Sequence, residues 1–336
     1  MAKKRLVIHF FLSILAMAKR VIYNIILLSV FIAMVACGGQ SKSGGSDEEQ
    51  SAEKNEVAYA PGERMFFPDF KPSTLRNYDD YRRAIDGYWD DFDFDADTAV
   101  VAYNTSSIIQ AMSDYVAYIE PQRADSLLRA LMHRAERSRP VFDLFIEAAD
   151  VVLGDPNSPL RNDEYHIPIL EVIVESPLLD EYDRIAPMYD LEMARQNRIG
   201  SVANNFEFCL ANGSKMWMHD IDADYLLIML NNPGCPMCKE IIEQLTTSPM
   251  INELCELGRL KILSLYPDED IKAWREYLPN MPQSWINAYD EGMKISEQRL
   301  YNLEAIPSLY LLDRDKRVLI KDGTQVEHIE YILNMM

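Results

Sequence analysis

The chain has 336 residues, which is enough for about two ordinary domains. Hydrophobic residues make up 48% and charged residues 26%, a balance that supports a buried core and excludes a wholly disordered protein. The formal net charge is −20, and it becomes −25 without the first 36 residues, which carry five basic and no acidic side chains. A chain with this negative charge repels the phosphates of nucleic acids, and the composition therefore argues against a nucleic-acid-binding protein.

The first 36 residues have the pattern of a signal peptide. An apolar run over residues 21–36 follows Lys19 and Arg20, and small residues precede Cys37. A transmembrane helix is the alternative, but 16 residues fall short of the ~20 that span a bilayer. Val35-Ala36-Cys37-Gly38 resembles the lipobox of bacterial lipoproteins. The resemblance implies that Cys37 is lipidated and becomes the first residue of the mature chain.

Residues 37–61 are rich in Gly, Ser and Glu and are predicted to form a flexible tether, because they cannot bury apolar surface. A lipid anchor at Cys37 followed by a tether predicts a protein of the cell envelope, membrane-anchored and facing the periplasm or the cell surface. Cysteines meet oxidising conditions there, so a close cysteine pair is expected to have a redox role.

Residues 62–198 are predicted to form an all-α domain. Apolar residues recur with helical spacing over residues 99–119, 125–134, 141–152 and 167–174, and prolines separate these segments. This part of the sequence offers no metal-ligand spacing, phosphate loop or nucleophile elbow, and its isolated His133 and His166 are predicted to be structural. It therefore indicates an architecture without indicating a chemistry.

Residues 199–336 have the pattern of an α/β domain. A hairpin is predicted around Asn212-Gly213, a buried strand over residues 225–230, and a helix after Cys235. A strand over 260–265, a helix over 268–277, a hairpin over 308–320 and a last helix from Val326 follow. Strands that alternate with helices and end in a hairpin favour one α/β layer structure.

The pair Cys235-Pro236-Met237-Cys238 stands between the buried strand and the next helix. At a helix N-terminus, unpaired N–H groups and the positive end of the dipole stabilise a thiolate on Cys235. Cys238, one turn further on, could then resolve a mixed disulfide. Zinc is the main alternative, but it requires four ligands, and no second close pair exists; we therefore predict neither a metal nor a cofactor.

The C-terminal part resembles a thioredoxin-fold domain of the TlpA/ResA-like class. The match rests on the Asn212-Gly213 turn, the Cys235–Cys238 motif and the segment 305–313, which contains Ile306-Pro307. The resemblance implies that Pro307 is cis and faces the cysteines, and that the backbone of Ile306 pairs with a bound peptide. Pro236 and Met237 complete the predicted substrate-binding residues. Residues 62–198 resemble a helical domain of unknown function that precedes thioredoxin domains in envelope lipoproteins.

The sequence departs from the family pattern around the motif. Gly234 stands where the family usually has Trp, and the acids that thioredoxin-like and ResA-like proteins place near the cysteines would fall at Met229 and Ile241. Glu240 and Glu243 are predicted to be surface residues. Proton transfer at Cys238 is then expected to rely on water, and the direction of electron flow stays open.

Together these features predict an envelope thiol–disulfide oxidoreductase that acts on protein thiols and disulfides, with Cys235 attacking and Cys238 resolving, and with a membrane electron donor. One alternative is a non-catalytic binding or assembly lipoprotein that uses the fold as a scaffold. A peroxidase is disfavoured because the stretch before Cys235 lacks the Thr and Arg that such chemistry needs. Cys209 and Cys255 are predicted to be buried structural thiols.

Overall fold

The computed structural model of the chain describes residues 75–336. The predicted signal peptide (1–36), the lipidated Cys37, the tether (37–61) and residues 62–74 lie outside the described residues. The boundary between the helical and α/β parts at residues 198 and 199 stays a prediction.

In the described part of the chain, residues 78–195 form six α-helices. They are α1 (Tyr78–Asp86), α2 (Thr98–Tyr118), α3 (Pro121–Ala135), α4 (Arg139–Ala149), α5 (Asp163–Glu175) and α6 (Ile185–Arg195). The four predicted helices are confirmed, with α4 ending earlier than expected because a π-helical turn, Asp150–Gly154, follows it. Helices α1 and α6 were not predicted. No helix between residues 75 and 336 has the length and apolarity needed to cross a membrane.

The helices share one hydrophobic core. Its fully buried centre includes Ile108, Leu128, Met132 and Phe145. Asn162 begins α5 because its side chain accepts hydrogen bonds from two backbone N–H groups of the first turn, which otherwise lack partners. These helices thus form a packed body that needs no contribution from the sheet for its own core.

The described residues from 207 onward form a seven-stranded sheet in the order β2-β1-β5-β4-β3-β6-β7. The strands are β1 (Glu207–Leu210), β2 (Lys215–Trp217), β3 (Tyr225–Leu230), β4 (Leu260–Tyr266), β5 (Ile286–Tyr289), β6 (Ser308–Asp313) and β7 (Val318–Gly323). Strands β3, β4 and β5 run parallel to one another, whereas β1, β2, β6 and β7 pair antiparallel with their neighbours. The two predicted hairpins, β1–β2 and β6–β7, are confirmed.

Helices cover the sheet, and β3 is buried on both faces. Leu226 and Ile228 point into one core, and Leu227 and Met229 into the other, because successive side chains alternate across a strand. The helices of this part are α7 (Pro236–Thr247), α8 (Pro249–Glu256), α9 (Ile271–Tyr277), α10 (Lys294–Glu297) and α11 (Val326–Met335). Helices α7 and α11 pack on the Met229 face. The residues after β3 therefore begin a helix on the same face as the last helix of the chain.

The segment that joins the helical part to the sheet runs along the outer side of β7. The N–H groups of Gly200 and Ala203 donate to the carbonyl oxygens of Val318 (2.8 Å) and Lys316 (2.9 Å), and Val318 N–H donates to Ser201 O (2.9 Å). These bonds attach the linker to the edge of the sheet.

A buried lysine joins the two parts. Lys321 Nζ donates to the carbonyl oxygens of Met193, Ala194 and Gln196 at 2.7–3.2 Å, at the C-terminal end of α6. It also lies 2.5 Å from a carboxylate oxygen of Asp163. A cation at a helix C-terminus satisfies carbonyls that lack intrahelical partners, so α6 is fixed against β7.

Candidate redox site

Cys235 begins helix α7 directly after the buried strand β3. Its Sγ accepts the N–H of Cys238 at 3.1 Å, as the capping side chain of the helix, and Pro236 takes the first helical position, where a missing N–H costs nothing. This contact gives one of the unpaired N–H groups at the start of α7 a hydrogen-bond acceptor. The predicted placement of Cys235 at a helix start is confirmed.

Gly234 explains one departure from the family pattern. Its φ is +76°, in the left-handed region that costs glycine little and a tryptophan considerably more. The turn between β3 and Cys235 therefore depends on glycine at this position.

The second cysteine is enclosed. Cys238 is 2% exposed, and burial, followed by the hydrogen bond with Cys235, raises the pKa of its thiol to about 12. The two sulfurs thus differ in environment: Cys235 is partly exposed at the helix end, whereas Cys238 is protonated and buried at neutral pH. This asymmetry suits an attacking and a resolving thiol.

The positions that carry acids in relatives are apolar and buried here. Met229 and Ile241 are 0% and 2% exposed, and Glu240 and Glu243 are exposed on α7, as predicted. The buried polar contact at this end of the sheet is between Asn231 Nδ2 and Ser264 Oγ, at 2.8 Å. Asn231 and Ser264 do not titrate near neutral pH, and positions 229 and 241 carry no carboxylate. None of these four side chains can therefore take a proton from Cys238.

The Ile306–Pro307 peptide bond is cis, which confirms the expectation from the resemblance. Pro307 is buried, and Ile306 packs beside Cys235 in the core on the Met229 face. The carbonyl oxygen of Ile306 lies 3.8 Å from Cys235 Sγ, within reach of the S–H donor. The structure therefore brings Cys235, Cys238, Ile306 and Pro307 together, although they come from distant parts of the sequence.

The outer surface of the motif is accessible. Pro236 is exposed, and Met237, between the two cysteines, is 54% exposed. With Ile306 they present apolar surface beside the partly exposed sulfur, which fits a polypeptide lying across Cys235. Their role in binding substrate stays a prediction.

Sequence reasoning missed Tyr277 and Trp285. Both come from the segment between β4 and β5 and pack against the core that contains the two cysteines. Burial, and then the neighbouring Cys238 and Cys235, raises the pKa of Tyr277. The long spacing between Cys238 and Pro307 indicated an additional segment, but no local pattern showed which of its aromatic residues packs in the core with the two cysteines.

Cys209 and Cys255 are free thiols that lie in different hydrophobic clusters. Cys209 is 1% exposed on β1, as predicted, whereas Cys255 on α8 is partly buried and not buried as predicted. Burial raises the pKa of both thiols. Both cysteines are poor nucleophiles compared with a helix-capping sulfur.

The described residues hold no group of three His, Cys, Asp or Glu side chains suited to a metal ion. His166 is 4% exposed with Nε2 3.4 Å from Asp150, and His133 is exposed with Nδ1 2.8 Å from Glu136. Neither histidine belongs to the site around Cys235.

A strand that leads into a helix-capping Cys-x-x-Cys, faced by a cis-proline before an antiparallel strand, defines a thioredoxin-fold dithiol protein. A thioredoxin-like protein from Bacteroides caccae ATCC 43185 is 37% identical, and the match covers 81% of this chain and 99% of that one with a TM-score of 0.74. The chain therefore belongs to the thioredoxin-like family.

Other similar proteins match a smaller part of the chain. The C-terminal domain of an uncharacterised protein from Bacteroides fragilis NCTC 9343 is 42% identical, with 41% of this chain and 98% of that one covered and a TM-score of 0.40. Human nucleoredoxin is 23% identical over 113 residues, which is 33% of this chain. The match spans 26% of nucleoredoxin's own length.

The helical part has a family match of its own. Residues 79–197 match the family described as Domain of unknown function (DUF5106). This confirms the predicted resemblance to a helical domain of unknown function before a thioredoxin domain. The fold class, an α/β thioredoxin-like part preceded by an all-α part, is also confirmed.

Proposed function

We propose that the protein is a thiol–disulfide oxidoreductase of the cell envelope that exchanges disulfides with polypeptide substrates. The observation that carries the proposal is the environment of Cys235 Sγ. It accepts a helix N-terminal N–H at 3.1 Å and lies 3.8 Å from the carbonyl oxygen that precedes cis-Pro307. A reactive sulfur and an accessible backbone edge thus adjoin each other.

In the reducing direction, the Cys235 thiolate attacks one sulfur of a substrate disulfide. A new S–S bond joins Cys235 to the substrate, the substrate S–S bond breaks, and the departing thiolate takes a proton from water. Cys238 then loses its proton and attacks Cys235 Sγ, which forms the Cys235–Cys238 disulfide and releases the second substrate thiolate. The substrate gains two electrons, and the dithiol loses them.

Deprotonation of Cys238 is the demanding step. Burial raises its pKa to about 12, and the side chains of Met229 and Ile241 supply no base. The proton passes to water or to the departing substrate thiolate. We expect the mixed disulfide at Cys235 to be long-lived compared with one in a relative that has an acid at either position.

The proposal extends to location and partners. A basic start, a short apolar run and Val35-Ala36-Cys37-Gly38 support a lipid anchor at Cys37. Cytosolic reductants do not reach the envelope, so a membrane electron donor would reduce the Cys235–Cys238 disulfide back to the dithiol. Metabolic labelling with palmitate tests the anchor: label in the wild type and none in Cys37→Ala is expected, and equal label in both would refute it.

The activity is tested by reduction of insulin or of a peptide mixed disulfide. Cys235→Ala should lose Cys-dependent turnover, Cys238→Ala should accumulate a mixed disulfide at Cys235, and the matched variant Cys255→Ala should behave as wild type. A Cys235→Ala protein that turns over substrate as fast as wild type would refute the proposal. Equilibration with glutathione gives the reduction potential and hence the direction of electron flow.

The alternative is a binding or assembly lipoprotein that uses the thioredoxin fold as a scaffold. The buried apolar residues at Met229 and Ile241 favour it, because a scaffold needs no proton relay. It predicts that a strain carrying Cys235→Ala and Cys238→Ala together keeps the wild-type phenotype. Loss of the phenotype with unchanged protein abundance would exclude it.

A further inference from the structure

A buried carboxylate connects the helical part with the loop that faces the cysteines. Asp322 on β7 has a side chain only 6% exposed, and it pairs with Arg161, which lies just before α5, at 3.0 Å. The same carboxylate accepts hydrogen bonds from Ser308 Oγ at 2.7 Å and Tyr310 OH at 2.5 Å. Arg161 is itself 15% exposed, so this pair is largely shielded from solvent.

The backbone is shaped to bring Asp322 to this position. The β6–β7 register shifts between Leu309 and Leu311, and Asp322 has φ +49°, in the left-handed region. A bulge of this kind re-aims a side chain out of the regular alternation of a strand, and aspartate tolerates the left-handed region better than most residues. The register shift and the left-handed φ of Asp322 therefore orient its carboxylate toward Arg161, Ser308 and Tyr310.

These contacts end at the predicted substrate-binding edge. Ser308 follows cis-Pro307 directly, and the carbonyl oxygen of Ile306 lies 3.8 Å from Cys235 Sγ. A carboxylate held on one side by Arg161 and on the other by the Ser308 hydroxyl limits how far residues 306–308 can move. Without Arg161, the buried charge of Asp322 loses its partner, a change that buried carboxylates tolerate poorly.

We infer that Arg161 is a positioning residue for substrate binding, acting through Asp322 and Ser308 on the Ile306–Pro307 edge. The inference rests on the proposed function and adds to it a role for the helical part: that part supplies the cation that keeps the substrate-binding edge in place. Arg161 touches neither the sulfurs nor the substrate. Its removal should weaken the binding of a polypeptide disulfide and leave the reactivity of Cys235 unchanged.

The test compares Arg161→Gln with Arg198→Gln in the full chain. Arg198 pairs with Glu164 at 2.8 Å, but these side chains are 48% and 39% exposed and do not contact Asp322. For Arg161→Gln, KM for a peptide disulfide should rise about three- to tenfold while kcat and the Cys235 alkylation rate stay within about twofold. Arg161→Lys, which keeps the charge, should recover most of the loss, and Arg198→Gln should match wild type. Equal KM values for wild type and Arg161→Gln would overturn the inference.

A double-mutant cycle tests the path. Ser308→Ala removes the hydroxyl that links Asp322 to the start of β6, directly after cis-Pro307, so Arg161→Gln should raise KM much less in that background than in wild type. A full effect of Arg161→Gln in the Ser308→Ala protein would show that Arg161 acts by another route. If Arg161→Gln does not fold, Ser308→Ala alone should raise KM at unchanged alkylation rate, and an unchanged KM would refute the inference.

Hydrogen exchange separates this inference from the proposed function. Amides of residues 305–310 should exchange faster in Arg161→Gln than in wild type or Arg198→Gln, whether or not the protein turns over a substrate. If wild type shows no Cys235-dependent turnover but exchange increases, the proposed function fails and the positioning contact stands. Unchanged exchange in these residues would overturn the positioning contact itself.

Discussion

The protonation of Cys238 can be tested by raising the pH in the presence of a small thiol reagent. With a pKa of about 12, Cys238 at pH 8 is thiolate in about one molecule in ten thousand. An ordinary cysteine with a pKa of ~8.5 is about one-quarter thiolate at the same pH. The more basic thiolate is also the better nucleophile, with a Brønsted coefficient of about 0.4–0.5, so Cys238 in the folded, reduced protein should react about two orders of magnitude more slowly than in the unfolded chain.

The slope with pH distinguishes a raised pKa from simple lack of access. If protonation limits the reaction, the rate at Cys238 rises about tenfold per pH unit through pH 10, whereas blocked access lowers the rate equally at every pH. Cys235→Ala removes the second cause of the shift, the hydrogen bond with the Cys235 side chain, and leaves burial, the larger cause, in place. Its Cys238 profile should stay close to that of wild type.

Peptide-resolved mass spectrometry after quenched alkylation with iodoacetamide, which forms a thioether that Cys238 cannot displace, gives a separate rate for each cysteine. The same peptide from protein unfolded in urea is the reference, and its rate should level off near pH 9. A native Cys238 profile that levels off below about pH 9.5 would refute the assignment of a buried, protonated resolving thiol.

Two further changes have defined outcomes. Burial, followed by the charges of Asp150 and Glu304, raises the pKa of Asp190 to about 6. The contribution of Asp190 to stability is therefore present below pH 4 and is lost as the pH rises through 6. Asp190→Asn should raise Tm by roughly 2–4 °C at pH 7.5 and leave Tm unchanged at pH 4. Equal shifts in calorimetry at both pH values would contradict this. Met237→Lys places a cation beside Cys235, where it would stabilise the thiolate, and should raise the reduction potential by about 10 mV in glutathione equilibration. As the control, Met188→Lys, at a similarly exposed position, should leave the reduction potential unchanged. A lower reduction potential in Met237→Lys would contradict stabilisation of the thiolate.

Local sequence patterns were sufficient for the centre of the site. The continuous apolar run 225–230 predicted a strand buried on both faces, and the cysteines directly after it could lie only at the start of the next helix. Pro307 entered through a family resemblance, because one sequence contains no local signal for a cis bond. These predictions depend on residues close together in the chain or on a short motif.

The remaining features depend on distant residues. Helix α6 mixes exposed Ile185 and Met188 with buried Leu191, so its apolar residues do not form a clear stripe. The pairing of Arg161 with Asp322 spans 161 positions and requires a bulge in β7 that no composition or period indicates. Tyr277 likewise joins the core around Cys238 from the segment between β4 and β5, which lies far from the motif in the sequence.

The linker on β7 has a consequence for the behaviour of the protein at high concentration. An uncovered edge strand offers free N–H and C=O groups on which another chain can add a strand and begin aggregation. Residues 200–203 already occupy such groups on β7. At the other edge, β2 is three residues long and carries Lys215, a charge that discourages strand addition. The linker at Val318 and the short, charged strand β2 thus each reduce the edge on which another copy could add a strand.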